Sequence, residues 1–132
     1  MANGGPTPMN LKDPKLIVLQ FNECINSQDV EGLAALMTED HVLVDREGKT
    51  GRTKEAMIEG WKQFFQMFPK YRNTFTRLQS SGDCVVILGS AYWSENEPYD
   101  PVIWTAIIAD DLVREWRIHE DTEANRKKFE LL

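Results

Sequence analysis

The spacing of apolar residues changes near residue 70, and this change limits the possible folds. Up to about residue 68, apolar residues recur at helical spacing, as in the stripe Met57, Trp61 and Phe64. From residue 71 onward the pattern alternates, as in YRNTFTRLQ and LVREWRIHE, which predicts strands. Helices followed by an antiparallel meander predict an α+β domain whose helices cover one face of the sheet.

Helix boundaries are marked by residues that favour helix ends. Three predicted helices begin after side chains that cap helix N-termini, and these are Asp13, Asp29 and Thr53. Pro69 ends the third helix, and Thr122 can cap a short C-terminal helix. The stretch HVLVD, between the second and third helices, alternates and predicts one early strand.

Length and charge restrict the class of protein. A chain of 132 residues fits one domain, predicted here at 13–132 after a disordered N-terminal arm at 1–12. A net charge of −6 argues against nucleic acid and anionic membranes as partners. No apolar run reaches the length of a membrane span, and the N-terminus lacks the features of a signal peptide. We therefore expect a cytoplasmic protein in which Cys24 and Cys84 are free thiols.

Two features bear on cofactors and partners. Two histidines and no Cys/His ligand spacing predict no metal site, and the absence of a glycine-rich phosphate loop predicts no cofactor. His41, beside two acidic residues, is expected at the surface. The strand CVVIL is apolar on both faces, so one face needs a partner, most simply a second copy of the chain.

Three stretches, NSQDVEGLAALMTEDH, EAMIEGWKQFF and EWRIHED, give the chain a family resemblance over residues 13–125. They resemble the nuclear transport factor 2-like superfamily, in its SnoaL-like and ketosteroid-isomerase-like branch. The resemblance implies a cone, in which a strongly curved antiparallel sheet wraps around the N-terminal helices and leaves a blind, mostly apolar pocket. The convex face of that cone often forms a homodimer. The fold hosts isomerases, cyclases, dehydratases, epoxide hydrolases and noncatalytic binders.

The stretch EWRIHED has two interpretations. Alternation alone favours charged side chains that face water. The dipeptide Asp110-Asp111 predicts a two-residue hairpin turn, and an uninterrupted ladder from it sets Trp104 opposite Arg117. The same ladder sets Val102 opposite His119. With the implied cone, this face lines the pocket, where Trp104 and Arg117 contact a ligand and each other.

The opposite face of that hairpin would then be convex. It carries Ile103, Trp116 and Ile118, which we expect at the homodimer interface.

Catalytic residues follow only from the resemblance. Ketosteroid isomerases use an aspartate near the end of the first strand, which matches Asp45. Several SnoaL-like cyclases use an aspartate at the end of the last strand, which matches Asp121, with His119 as its polar partner. A carboxylate in an apolar cavity becomes a stronger base because it loses hydration.

Further ligand-binding candidates are Trp61 on the pocket wall and the pocket-facing pair Tyr71 and Asn73. Asn73 either binds a ligand oxygen or satisfies backbone groups. Phe21 stands where the isomerases have a tyrosine, so the steroid-isomerase oxyanion hole is missing and we reject that activity.

These observations predict a protein that binds a small apolar or aromatic molecule. If it is an enzyme, we expect cofactor-free proton transfer, as in a cyclase, isomerase or dehydratase. The alternative is a noncatalytic module for ligand binding or dimerisation.

Overall fold

The structure is a computed structural model that describes residues 10–96 and 99–131. The helices are α1 (Pro14–Asn26), α2 (Val30–Ala35), α3 (Lys54–Met67) and α4 (Glu123–Lys128). The strands are β1 (Met37–Val44), β2 (Thr50–Arg52), β3 (Arg72–Ser81), β4 (Cys84–Tyr92), β5 (Asp100–Ala109) and β6 (Leu112–Glu120).

The six strands form one curved, open sheet in the order β2-β1-β6-β5-β4-β3. Helices α1 and α3 pack on its inner, concave face, so the predicted α+β cone is confirmed. The sheet is mixed rather than purely antiparallel, because β1 runs parallel to β6, with Leu43 opposite Trp116. Only β2 and α3 lie between β1 and the meander β3–β6, and β6, the last strand of that meander, pairs with β1.

The predicted helix starts are confirmed by their caps. The side chains of Asp13, Asp29 and Thr53 accept hydrogen bonds from backbone N–H groups in the first turns of α1, α2 and α3. Thr122 caps α4 in the same way. The early strand begins at Met37, earlier than predicted, and the turn-rich stretch after it contains the short strand β2.

The β5–β6 hairpin has the predicted two-residue turn but a different register. Asp110 and Asp111 both have positive φ, at 53° and 60°, as a tight hairpin turn requires. The ladder then slips, because Val113 lies opposite Ile108 whereas Glu115 lies opposite Ile107. Arg114 is therefore the extra residue of a β-bulge.

One extra residue reverses the two faces of β6, so the predicted faces are wrong. Trp104 lies opposite Ile118, and Thr105 lies opposite Arg117. Trp116 and Ile118 face inward toward the helices, whereas Arg117 and His119 face outward. The expected contact of Arg117 with the Trp104 indole does not form, since the two side chains are on opposite faces.

The C-terminal segment, residues 121–131, crosses the outer face of the sheet. The Phe129 ring packs against the His119 ring on β6, with 4.8 Å between centroids. Arg77 on β3 donates a hydrogen bond of 2.9 Å to the carbonyl of Leu131. The segment thus spans from β6 to β3, over β5 and β4 between them. The outward-facing Ile103, which lies opposite His119, is fully buried.

The N-terminal arm predicted at 1–12 lies, for residues 1–9, outside the described residues. Asn10 is tied to the β5–β6 turn, since its side chain accepts from the Asp111 N–H at 2.9 Å and donates to the Ile108 carbonyl. Leu11 and Lys12 both donate backbone hydrogen bonds to the Asp111 carboxylate.

Cys24 and Cys84 are free, as predicted. Within residues 10–96 and 99–131, none of the helices combines the length and apolarity needed to cross a membrane.

Candidate functional site

A cavity of about 640 Å³ lies between α3 and the inner face of the sheet. Its walls are mostly apolar and aromatic. All four tryptophans of the sequence line it, namely Trp61, Trp93, Trp104 and Trp116. Because these side chains come from α3, from the residue after β4, and from β5 and β6, the cavity exists only in the assembled fold.

Asn73 is a buried polar residue in the wall of this cavity. Its backbone is held by α1, since the Asn26 side chain accepts from the Asn73 N–H at 2.8 Å and donates to the Asn73 carbonyl at 2.9 Å. The Asn22 amide donates a second bond to that carbonyl at 3.4 Å. The side chain of Asn73 lies in the cavity wall at 2% exposure and interacts with the Tyr71 hydroxyl. Its Oδ1 is buried without a hydrogen-bond partner among the described residues.

Trp61 lies in the same cavity wall. It is 8% exposed and lines the cavity, and its indole Nε1 is buried without a hydrogen-bond acceptor. Tyr71 lies nearby, with Phe64 packed between the two rings at 5.7 Å from Trp61 and 4.8 Å from Tyr71. Burial raises the pKa of Tyr71 far above its ordinary value, so its hydroxyl is neutral.

The mouth of the cavity carries an ion pair. Arg46, just after β1, binds the Asp100 carboxylate at the start of β5 with both terminal guanidinium nitrogens. Trp93 Nε1 donates a further hydrogen bond of 3.2 Å to the same carboxylate. About 30% of each charged side chain stays exposed, so the pair lies at the boundary between cavity and water.

Asp45 also lines the cavity, and its carboxylate organises a turn. Its Oδ1 accepts hydrogen bonds from the N–H groups of Glu47 at 3.0 Å and Lys49 at 2.9 Å. Among the described residues, Asp45 Oδ2 has no hydrogen-bond partner. The turn thus fixes the direction of the carboxylate and leaves one oxygen available.

Some of the predicted site residues line the cavity and others lie outside it. Those that line the cavity are Asp45, Trp61, Tyr71, Asn73 and Trp104. Phe21 is fully buried behind the cavity wall, where its ring packs 4.8 Å from that of Trp116.

Three predicted residues lie outside the cavity because of the bulge at Arg114. Arg117 is on the outer face, with its Nε 3.6 Å from Glu115. His119 lies there too, and together with Arg117 it borders a separate depression of about 280 Å³. Asp121 forms a two-bond ion pair with Arg126, at 2.6 and 2.8 Å. The prediction that His119 and Asp121 face the cavity is wrong.

His41 is fully buried, in contrast to the expected surface position. Its Nδ1 lies 2.7 Å from the Val113 carbonyl, a contact that the parallel pairing of β1 with β6 provides. Burial lowers the pKa of His41, so the neutral ring is favoured.

Comparison with known families now identifies the chain. The sequence profile of the SnoaL-like domain matches residues 18–116. The chain belongs to the SnoaL-like family. A comparison with curated protein sequences gives no significant match.

Solved structures show that this SnoaL-like fold is shared by proteins of different activity. A proposed SnoaL-like polyketide cyclase from Shewanella putrefaciens has a TM-score of 0.74 and 11% identity, covering 93% of this chain and 89% of its own. An LEH-like epoxide hydrolase from M. tuberculosis has a TM-score of 0.73 and 14% identity, covering 82% of each chain. A proposed ketosteroid isomerase from Kribbella flavida has a TM-score of 0.69 and 16% identity, covering 80% and 76%. At these identities the similarity establishes the fold alone.

The sequence-based predictions missed several residues of the site in this SnoaL-like protein. They are Arg46, Trp93, Asp100, Trp116 and Ile118. Trp116 and Ile118 were assigned to the wrong face because the bulge carries no glycine or other local signal. Arg46 and Asp100 are 54 residues apart, and their types and spacing give no sign of a pair.

No group of three or more His, Cys, Asp or Glu side chains is placed to hold a metal ion within residues 10–96 and 99–131.

The outer-face position of His119 gives a pH prediction. Burial, together with the charges of Arg117 and Lys128, lowers the pKa of His119 to about 4 from its ordinary 6.5. The unfolded chain therefore binds a proton that the folded chain excludes, and folding stability falls as the pH drops from 6.5 toward 4. Because the ring is half-buried, water screens part of this effect, and we expect His119 to contribute about 1–2 kcal/mol of the loss.

Urea unfolding at neutral pH and near pH 4.5 tests this prediction. His119→Gln keeps a polar partner for Thr105, whose Oγ1 lies 2.8 Å from His119 Nε2, but removes the titration. The variant should lose less stability on acidification than the wild type. His41 titrates in the same direction and is present in both proteins, so the difference reports on His119. Equal losses in the two proteins would contradict the prediction.

Proposed function

We propose that this SnoaL-like protein binds a small, largely apolar, aromatic molecule in the inner cavity. The observation that carries the proposal is a cavity of about 640 Å³ with four tryptophans in its walls and few polar groups. Small-molecule sites have volumes of about 300–1,000 Å³ and this same composition. The size fits a ligand of two to four fused rings better than a single small metabolite.

The driving force is the removal of apolar surface from water. Apolar burial contributes about 25 cal/mol per Å², and aromatic faces add further stabilisation when rings pack edge to face or offset. The walls are rigid, since Trp61, Phe64 and Tyr71 are already packed against one another. A planar ligand would therefore lose little binding energy to reorganisation of the site.

Naphthalene is a suitable first probe because it tests the apolar cavity without any hydrogen bond. We expect saturable binding in equilibrium dialysis, accompanied by a change in tryptophan emission. Gly60 lines the cavity and has open space beside its Cα, so Gly60→Phe should fill the cavity and weaken binding at least about tenfold. Glu59→Phe places the same ring on an exposed position of α3 and should leave binding unchanged. Equal affinities for both variants would contradict a ligand site in this cavity.

A second candidate function is cofactor-free proton transfer with Asp45 as the base. It is supported by the position of Asp45 on the cavity wall with Oδ2 free of partners among the described residues. Asp100 is a weaker candidate, because its carboxylate is occupied by Arg46 and Trp93. His119 and Asp121 lie outside the cavity, so we no longer propose them as catalytic residues.

Exchange of the acidic C–H protons of 2-tetralone in deuterated water, followed by NMR, tests the second candidate. General base catalysis contributes about 10²–10⁴-fold, so Asp45→Asn should lower the exchange rate by at least about 10²-fold. Asparagine can still accept the two turn hydrogen bonds, so the fold is preserved. Wild-type exchange no faster than that of Asp45→Asn would favour the noncatalytic alternative.

The homodimer also stays a proposal, with different interface residues. Trp116 and Ile118 are on the inner face, and Ile103 is covered by the C-terminal segment. The outer face still carries half-buried apolar side chains, including Val86 and Ile107. Ile107→Glu should shift the protein to monomer in sedimentation, whereas Met67→Glu on an exposed position of α3 should not. A wild-type protein that is monomeric at micromolar concentration would exclude this dimer.

A further inference from the structure

We propose that the ion pair between Arg46 and Asp100 is a latch that controls how fast a ligand enters and leaves the cavity. This inference rests on the proposed binding function and adds a rate-controlling contact to it. It is carried by the position of the pair, because both side chains line the cavity and remain 28% and 30% exposed. A contact at such a boundary can break and re-form while the rest of the protein stays folded.

The latch joins two strands that do not pair with each other. Arg46 follows β1 and Asp100 is the first residue of β5, and β6 lies between these strands and pairs with both. The guanidinium binds both carboxylate oxygens, through Nη1 and Nη2. Because Ile118 of β6 lines the same cavity, the latch crosses the end of β6 on the cavity side.

Trp93 connects the latch to α3. Its Nε1 donates a hydrogen bond of 3.2 Å to Asp100, and its ring packs 5.8 Å from Phe64 and 5.0 Å from Phe68 at the end of α3. Contacts therefore run from α3 through Trp93 and Asp100 to Arg46. They fasten the helical side of the cavity to the sheet side at the mouth.

Arg46 also forms a boundary between two spaces. It lines both the inner cavity and the outer depression of about 280 Å³. When the guanidinium leaves Asp100, the part of the wall that it forms is released, and the cavity opens toward the depression. Polar side chains such as Arg117 and Asn125 line the depression, so it suits a water-filled approach better than a second site for an apolar molecule.

The strength of the contact sets the expected effect. An ion pair that keeps contact with water contributes little free energy, and salt screens it. If a ligand enters only when the latch is open, the association rate constant is proportional to the open fraction of the protein. A fivefold change in that fraction corresponds to about 1 kcal/mol, the upper value for an exposed ion pair.

Stopped-flow mixing with naphthalene, followed by tryptophan emission, measures the association rate constant. Asp100→Asn keeps an acceptor for Trp93 but removes the charge that holds Arg46, so the constant should rise about fivefold. Arg46→Gln should raise it by a similar factor. If the two residues act as one latch, the double variant should bind less than about twofold faster than either single variant.

Glu59→Gln is the matched control. It removes the carboxylate of an exposed ion pair on α3, in which Glu59 lies 3.2 Å from Lys62, and it should leave the association rate constant unchanged.

Ionic strength tests the latch in a second way. Raising the salt concentration from about 0.01 M to about 1 M shortens the screening length from about 30 Å to about 3 Å. Naphthalene is uncharged, so this change acts on the protein and not on electrostatic attraction of the probe. We expect salt to speed association relative to Asp100→Asn, in which the ion pair is already absent. Comparison with that variant also corrects for the lower solubility of naphthalene in salt, and Arg46→Gln serves the same purpose.

The failures of the two proposals are distinguishable. Association at the wild-type rate in Asp100→Asn or Arg46→Gln would overturn the latch and leave the binding function intact. An unchanged association rate with faster dissociation would also overturn it, since the pair would then only contact the ligand. Absence of naphthalene binding to the wild type in equilibrium dialysis would overturn the proposed binding function, and the latch with it.

Discussion

Replacing Trp116 by glutamate should unfold the protein. Trp116 is 1% exposed, and its ring packs 4.8 Å from Phe21 and 6.4 Å from Trp104. Loss of a buried large aromatic side chain costs about 3–5 kcal/mol, and an unpaired buried carboxylate costs several more. The sum approaches the whole stability of a typical domain, about 5–15 kcal/mol. Near-UV circular dichroism and thermal unfolding measure the result.

Arg114→Glu is the matched control for this substitution. Arg114 lies two residues away on the same strand, and its side chain is about half exposed beside Asp40. A new charge there should change the free energy of unfolding by less than about 1 kcal/mol. A soluble Trp116→Glu protein with a wild-type spectrum would contradict the inner position of Trp116. It would favour the β5–β6 register without a bulge that the sequence predicted.

Trp61→Ala should lower the free energy of unfolding by about 3 kcal/mol, the low end of the range for buried large aromatic residues. The indole is 8% exposed and packs against Phe64, Phe65 and Phe21. The cost stays at the low end because one side of the ring borders the cavity and has fewer contacts to lose. Urea unfolding of wild type and variant gives the difference.

Trp61→Phe is the control, because it keeps a ring among the same neighbours and should cost about 1–1.5 kcal/mol. A loss below about 1 kcal/mol for Trp61→Ala would show that Trp61 contributes little to the packing of α3 on the sheet.

The helices were predictable from sequence because their signals are local. Asp13 before Pro14 and Thr53 before the Met57 stripe determine where α1 and α3 begin, and both caps are present. The pocket-facing direction of Tyr71 and Asn73 was also predictable, because the start of β3 alternates regularly.

The last strand was not predictable from alternation alone. Glu115, Arg117 and His119 alternate with Trp116 and Ile118, and this pattern fits either register. The bulge at Arg114 selects between them, and it depends on how β6 pairs with β5 and β1 rather than on its own residues. The family resemblance placed a base at the end of this strand. That inference does not hold here, because the register of the strand is shifted by one residue.

The ion pair at the cavity mouth illustrates a second limit of prediction from sequence. Arg46 follows β1 and Asp100 begins β5, and these two strands lie close together because both pair with β6. Sequence shows two ordinary charged residues in loops. Their pairing is a property of the strand order.

The C-terminal segment has a mechanical consequence for the cavity on the other side of the sheet. It is anchored at β6 through Phe129 and at β3 through Arg77, so it acts as a brace across the back of a bent surface. Bending a sheet further brings its inner walls together, and relaxing it moves them apart. We therefore expect the segment to limit how far the walls of the cavity can move apart. Substitutions at Phe129 or Arg77, outside the cavity, should then change which sizes of ligand the proposed site accepts.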